Sequence, residues 1–273
     1  MRIARVFPRK TAATPNDELV FFEQPPMLTL PEIDEVHVSV AFTYDIKRAE
    51  TLAEMWRQVG VPVKIGGPAY NEPGGDFVPG RYLKKGYVIT SRGCPNRCWF
   101  CSVPKREGYK LRELPITDGY NVLDDNLLAC SDQHIRDVFA MLKNQKERPM
   151  FTGGLEAKIL KRWHVELLKE VKTRRMYFAY DTPDDYEPLV NAGKMLKEGG
   201  FTVQSHVLGC YVLIGYRGDT FSKAEKRLEE TIKAGFVPYG MLYRDSNGVV
   251  DSQWKRFQRE WARPAIIFSK IKQ

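Results

Sequence analysis

Three cysteines crowd one short segment of the chain. Cys94, Cys98 and Cys101 lie in the run Thr-Ser-Arg-Gly-Cys-Pro-Asn-Arg-Cys-Trp-Phe-Cys, with C-x3-C-x2-C spacing and Phe100 just before the last of them. Thiolates are soft ligands that select soft or iron–sulfur metal centres. An iron–sulfur cube that only carries electrons takes four cysteines. Three leave one iron open to bind another molecule, which suits an enzyme better than an electron carrier. A structural zinc site needs a closed set of four. Here Cys130 and Cys210 stand alone, and His37, His134, His164 and His206 form no H-x3–5-H pair. Five cysteines is an odd number and no secretory signal is visible, which weighs against disulfides. The expectation is a [4Fe–4S] cluster on Cys94, Cys98 and Cys101.

The remaining composition is ordinary. The 273 residues are 43% apolar and 28% charged, and no apolar run is long enough to span a bilayer. The start of the chain has no apolar signal core. A cytoplasmic protein, where thiols stay reduced, is expected, with no membrane partner and a monomer as the default. The net charge of +8 suits a nucleic-acid substrate, a solvated basic surface, or a docking face for an acidic electron donor. Lysine and arginine are spread along the chain, so a small-molecule substrate is favoured over nucleic acid.

Elements that position these residues follow from apolar periodicity. Residues 1–80 start irregular and rich in proline, then read as a β-α-β unit. It has a strand at 36–42, a helix at 46–59 with Asp45 placed to cap it, and a strand at 61–65. Glycine and proline at 66–68 and 72–75 mark a turn or linker. Beyond it strands and helices alternate. Strands are expected at 86–90, 119–126, 149–154, 176–181, 209–215 and 237–243. Helices are expected from Ser131 to about 143, at 156–172, at 184–198 before Gly199-Gly200, and at 222–234 behind a Ser222–Glu225 capping box. Six such strands predict a parallel sheet with its chemistry at the C-terminal strand ends. The notable residues fall there: the cysteines, Asp124-Asp125-Asn126, Gly153-Gly154, Asp181 and Gly215. An aromatic and basic helix over 254–261 is expected to pack over the edge. The organisation expected is a small N-terminal unit 1–80, a main domain 81–245 and an extension 246–273.

With the cysteine spacing, the aromatic Phe100 and the strand-to-loop setting together, the chain resembles the radical S-adenosylmethionine (SAM) superfamily over about residues 85–245. The resemblance implies an α/β fold of the partial (β/α)6 TIM-like barrel type. The wording Thr-Ser-Arg-Gly-Cys-Pro is most similar to members with an N-terminal cobalamin-binding-type domain. Residues 36–68 look like a shortened, flavodoxin-like remnant of one. The D-x-H-x-x-G motif of cobalamin ligation is absent, so no cobalamin is expected.

The resemblance further implies that the open iron chelates the amino and carboxylate groups of SAM. Reduction by a flavodoxin- or ferredoxin-type donor then gives methionine and a 5′-deoxyadenosyl radical, which abstracts hydrogen from an unidentified substrate. The Phe100 backbone would lie against the adenine. For the methionine amine two acceptors stay open: Asp124-Asp125-Asn126, slightly favoured, and Gly153-Gly154-Leu155-Glu156, a Gly-Gly-Glu type motif with one inserted residue. Gly153-Gly154 would then allow close backbone approach. Asp181 would meet the ribose, and Ile214, Gly215 and Met241 the adenine. Asp219 stands where the family's strand-5 element has glutamate. Cys210 is a weak catalytic candidate beside its reading as a small buried hydrophobe. Tyr180, Tyr216, Arg217, Arg244 and Asp245 sit at strand ends within reach of a substrate. No second cysteine cluster is present, which argues against an auxiliary iron–sulfur cluster. The competing reading is a non-catalytic iron–sulfur or zinc module that contacts nucleic acid through its basic surface.

Overall fold

The computed structural model describes residues 1–26, 29–245, 247–263, 267 and 269. The protein is a mixed α/β chain with parallel sheets, and it divides into two compact units, Met1–Gly119 and Tyr120–Gln273. Part of the expected extension 246–273, namely 246, 264–266, 268 and 270–273, lies outside the described residues.

The first unit contains the expected β-α-β motif and more. Its strands are β1 (Ile3–Val6), β2 (Val20–Phe21), β3 (Glu35–Ser39) and β4 (Val63–Gly66), with α1 (Ile46–Arg57) crossing between β3 and β4. They form one parallel sheet in the order β2-β1-β3-β4. The opening segment is therefore not irregular: β1 lies inside the sheet. Its pattern is masked by Arg5, which is buried there because it pairs with Asp17 and donates to the Gly80 and Arg81 carbonyls at 3.0 and 3.2 Å. The core gathers Ala4, Val6, Val36, Val38, Ala49, Leu52, Ala53 and Trp56. Trp56 is fully buried and its indole N–H donates to the Glu23 carbonyl at 2.9 Å. Burial of a side chain that size is worth about 5 kcal/mol.

Asp45 does precede α1, but its side chain makes no capping bond. Both of its oxygens go to Arg9, at 2.8 and 2.9 Å. A bidentate guanidinium is the stronger partner for a carboxylate than a single backbone amide.

After β5 (Tyr87–Val88), the first unit continues as an antiparallel ribbon of β6 (Ser91–Arg92) and β7 (Arg112–Glu113). The cysteine segment and the short helix α2 (Val103–Glu107) are the excursion between these strands.

The second unit is a parallel sheet whose strands follow one another in chain order: β8 (Asn121–Val122), β9 (Met150–Phe151), β10 (Arg175–Ala179), β11 (Leu208–Ile214) and β12 (Val237–Leu242). Helices α3 (Asp132–Lys143), α4 (Arg162–Glu170), α5 (Tyr186–Glu198) and α6 (Phe221–Lys233) form the crossovers. Strand alternation sorts the faces. Met176 and Phe178 of β10 and Leu208, Cys210, Val212 and Ile214 of β11 are buried. Tyr177, Tyr211 and Tyr239 form an aromatic cluster on the other face, with the first two stacked at 4.4 Å.

Of the helix starts that differ from the expected ones, those of α4 and α6 have a local cause. The helix expected at 156–172 is a 3-10 turn, Ala157–Ile159, followed by α4. The break lies at Lys161, whose backbone N–H donates to His164 Nδ1 at 3.1 Å. Burial first, then the Lys161 charge, pushes His164 down to about 4. The ring is thus neutral at physiological pH and keeps the lone pair that this cap uses. For α6 the N-cap is Thr220, which accepts from the Lys223 amide, so the helix begins one residue before the expected Ser222 box. The expected tail helix is α7 (Ser252–Trp261). It packs on β12 through Gln258, which donates to the Gly240 carbonyl at 2.8 Å. That contact occupies a carbonyl of a strand at the sheet's edge.

Candidate functional site

The cysteine loop is short, polar and tightly braced. Gly93 enters it from β6 with φ +87°, and a Cβ there would come within 2.5 Å of the Lys110 carbonyl oxygen. Only glycine lets the two limbs of the loop close at this point. The Cys101 amide donates to the Cys98 carbonyl at 3.1 Å, closing the C-x2-C turn. The Val103 amide then points at Cys101 Sγ, 3.4 Å away. Cys94 and Cys101 are half-buried, Cys98 is exposed, and none of the five cysteines is in a disulfide. Phe100 is half-buried and packs edge-on to the exposed Trp99 at 5.4 Å.

Behind the loop sits a group that sequence reasoning missed. The Glu107 side chain, at the end of α2, is fully buried. It accepts from Arg106 Nε at 2.9 Å, Arg112 Nη2 at 2.8 Å and the Gly74 amide at 3.0 Å, with Arg92 Nη1 at 3.7 Å. Arg92 and Arg112 also donate to the Gly75 and Gly74 carbonyls. Burial alone would push Glu107 up, but the Gly74 amide, Arg106, Arg112 and the Arg92 charge outweigh it and hold it below the usual carboxylate range. One carboxylate thus ties together β6, β7, α2 and the Gly74-Gly75 turn. The sequence signal was available: from Arg92 to Arg112 the chain carries six cations and Glu107 is the only acid among them.

In the second unit the expected strand-end residues fall into distinct groups. Asn126 Nδ2 donates to Glu156 Oε2 at 2.6 Å. The two amine acceptors left open by the sequence are therefore joined in one polar pair. Gly153 is where these connections meet: its Cβ would lie 2.5 Å from the Asp124 carbonyl oxygen and 2.7 Å from the Leu123 carbonyl carbon. Gly154 follows with φ +103°. Asp125 is half-buried. Asp124 is only 1% exposed, and its carboxylate groups with Cys130 and His134.

Comparison with protein-family models finds no match, and comparison with curated proteins finds none either.

Asp181 Oδ1 accepts from the Leu213 amide at 2.8 Å, bridging the ends of β10 and β11. Its pKa is pushed up to about 6, by burial above all, against the Leu213 bond and with the Asp185 charge adding to the rise. The Asp219 side chain is fully buried. It accepts from the Gly215 amide at 2.9 Å and pairs with Arg227 at 2.8 Å. That closes the turn after β11 and occupies the carboxylate internally. Ile214 is fully buried, whereas Met241 is exposed. Gly215 lines a cavity of about 380 Å³ with Arg217, Leu242, Tyr243, Asp245 and Trp254. Tyr180 is buried and donates to Glu230 at 2.6 Å, which removes it from the strand-end surface.

Cys210 lies on the buried face of β11 with no exposed surface. Burial pushes its thiol well up, and the Asp181 charge adds to this. A thiol so held is a poor nucleophile or hydrogen donor to an external substrate. Cys210→Ala is expected to lower Tm by a few degrees. A melting curve checks this, and an unchanged Tm would show that the thiol adds nothing to the packing of β11.

Proposed function

We propose that this protein is a radical SAM enzyme with one [4Fe–4S] cluster held by Cys94, Cys98 and Cys101, acting on a small molecule. The observation that carries the reading is the cysteine trio itself: three thiols outside any disulfide on one braced loop, with the Val103 amide directed at Cys101 Sγ. Their donor chemistry fits an iron–sulfur cluster with one open iron. Such a cluster, once reduced, supplies the electron that cleaves SAM to methionine and a 5′-deoxyadenosyl radical able to take hydrogen from substrate.

The chain's own groups have separate tasks. The loop carries its thiols on a segment with six cations and one acid between Arg92 and Arg112, which favours an acidic electron donor of flavodoxin or ferredoxin type. The Asn126–Glu156 pair offers a carboxylate to the SAM amine. The Gly153-Gly154 backbone, Asp181, and the Gly215 end of β11 with Met241 are the proposed contacts for the rest of SAM, and Phe100 offers its backbone to the adenine. The succession of parallel strands in chain order supports a partial (β/α)6 barrel. The β2-β1-β3-β4 order supports a flavodoxin-like ancestry for the N-terminal sheet.

Anaerobic reconstitution tests this directly. The protein should take up four irons and form 5′-deoxyadenosine when reduced in the presence of SAM. Uptake of no iron, or of iron without SAM cleavage, sinks the proposal. Zinc that survives chelator, together with salt-sensitive DNA binding, would select the non-catalytic module instead. Within the proposal, Glu156→Gln should retain its iron and raise the SAM KM at least tenfold. That is the loss of about 1.4 kcal/mol of a charge-assisted contact.

A further inference from the structure

A second group of metal-ligating side chains is formed within the second unit by residues other than the cysteine trio. A carboxylate oxygen of Asp124, the Sγ of Cys130 and a ring nitrogen of His134 all lie within 4.8 Å of one another. The residues are only 1%, 8% and 7% exposed. From these atoms we propose that Asp124, Cys130 and His134 form a buried zinc-type site, independent of any iron–sulfur cluster.

Three local features set the three donors. Asp124 follows β8, and its backbone is fixed by the contact with Gly153. Cys130 closes the 3-10 turn Leu127–Ala129, its amide donating to the Leu127 carbonyl at 3.1 Å. His134 stands in the first turn of α3, where its amide donates to the N-cap Ser131 hydroxyl at 3.2 Å. Cys130 and His134 are four residues apart, a spacing that a search for paired histidines overlooks. The donors thus sit on backbone that is already folded, as a metal site requires.

The donor set selects the ion. Carboxylate, thiolate and imidazole together suit zinc, whereas calcium and magnesium want oxygen throughout. With zinc bond lengths of about 2.0–2.3 Å, tetrahedral ligands stand about 3.3–3.7 Å apart. Donors within 4.8 Å reach that spacing with side-chain movements of about 1 Å. The described residues supply three donors, which leaves a fourth position for water. Such an ion would pin the β8–α3 connection, the segment that also carries Asn126.

Cobalt(II) is the probe, because its bond to a thiolate gives a sulfur-to-metal charge-transfer band. The full chain carrying C94A, C98A and C101A, which removes the loop thiols, should bind one cobalt per chain and show that band. Cys130→Ser should erase the band, and His134→Ala should weaken binding at least about tenfold. No band, or a band that survives Cys130→Ser, overturns the proposal. If the triple variant fails to fold by circular dichroism, zinc per chain is compared between wild type and Cys130→Ser. A fall of one equivalent supports the site, and an unchanged zinc content overturns it. Iron content and SAM cleavage do not enter either measurement, so failure here leaves the radical SAM proposal standing, and the reverse.

Discussion

Replacing any one of Cys94, Cys98 or Cys101 with alanine is expected to drop iron from about four per chain to below one and to cut SAM cleavage at least about 1000-fold. That factor corresponds to about 4 kcal/mol of lost barrier reduction. The expectation follows from ligand number. A cube with three protein thiolates has no spare ligand, since the fourth iron must stay open for substrate-side chemistry. The other two cysteines cannot step in. Cys210 is sealed on the buried face of β11, and Cys130 is buried beside Asp124 and His134. The loop itself should survive each single change, because Gly93, the Cys98–Cys101 turn and Glu107 hold it by backbone and carboxylate contacts. Loss of iron with an unchanged circular dichroism spectrum is therefore the predicted pair of readouts. Cys210→Ala, measured alongside, should keep its iron. A cysteine variant that keeps four irons and cleaves SAM at the wild-type rate would remove that residue from the cluster.

Much of the frame was legible before the structure. The alternation of β8 to β12 with α3 to α6 followed from apolar period, because each strand has a face buried against helices and each helix an apolar stripe. Ser131 was legible as a cap because its hydroxyl does accept the His134 amide. What escaped notice was carried by charged residues in unusual surroundings. β1 was hidden by Arg5, whose burial depends on partners far along the chain at Gly80 and Arg81. The start of α4 was hidden because a neutral histidine, not serine or aspartate, accepts the capping bond. The candidate site shows the same division. Cysteine spacing is local, so the trio stands out in the sequence. The Asn126–Glu156 bond and the Asp124–Cys130–His134 group join residues on separate turns. The Asn126–Glu156 bond spans 30 residues, and the Cys130-x3-His134 spacing gains meaning only when the fold sets Asp124 beside it.

Glu107→Gln is expected to lower stability at neutral pH by about 3–5 kcal/mol, the usual cost of breaking a buried ion pair from one side. The substitution keeps volume and removes charge. Arg106, Arg112 and Arg92 then face a neutral amide whose NH2 group is itself a donor, inside a site with no exposed carboxylate surface. The pH dependence has a definite sign. Glu107 is held below its ordinary value of 4.5 in the folded protein. Its contribution is therefore complete above that unfolded value and is lost as pH falls through the folded one. Urea unfolding of the apoprotein should show a large gap between wild type and Glu107→Gln at pH 7. The gap should narrow as the pH is taken below 4.5, where the unfolded chain takes up a proton that the folded carboxylate still refuses, and level off once the pH passes below the folded value. The functional consequence is at the loop. With Glu107 neutral, α2 and the Gly74-Gly75 turn lose their common anchor, and the reconstituted variant should release iron to chelator faster than wild type. Equal urea midpoints at pH 7, or a gap that does not change with acid, would show that the arginines are satisfied without this carboxylate. The cysteine loop would then owe its shape to Gly93 and the ribbon of β6 and β7 alone.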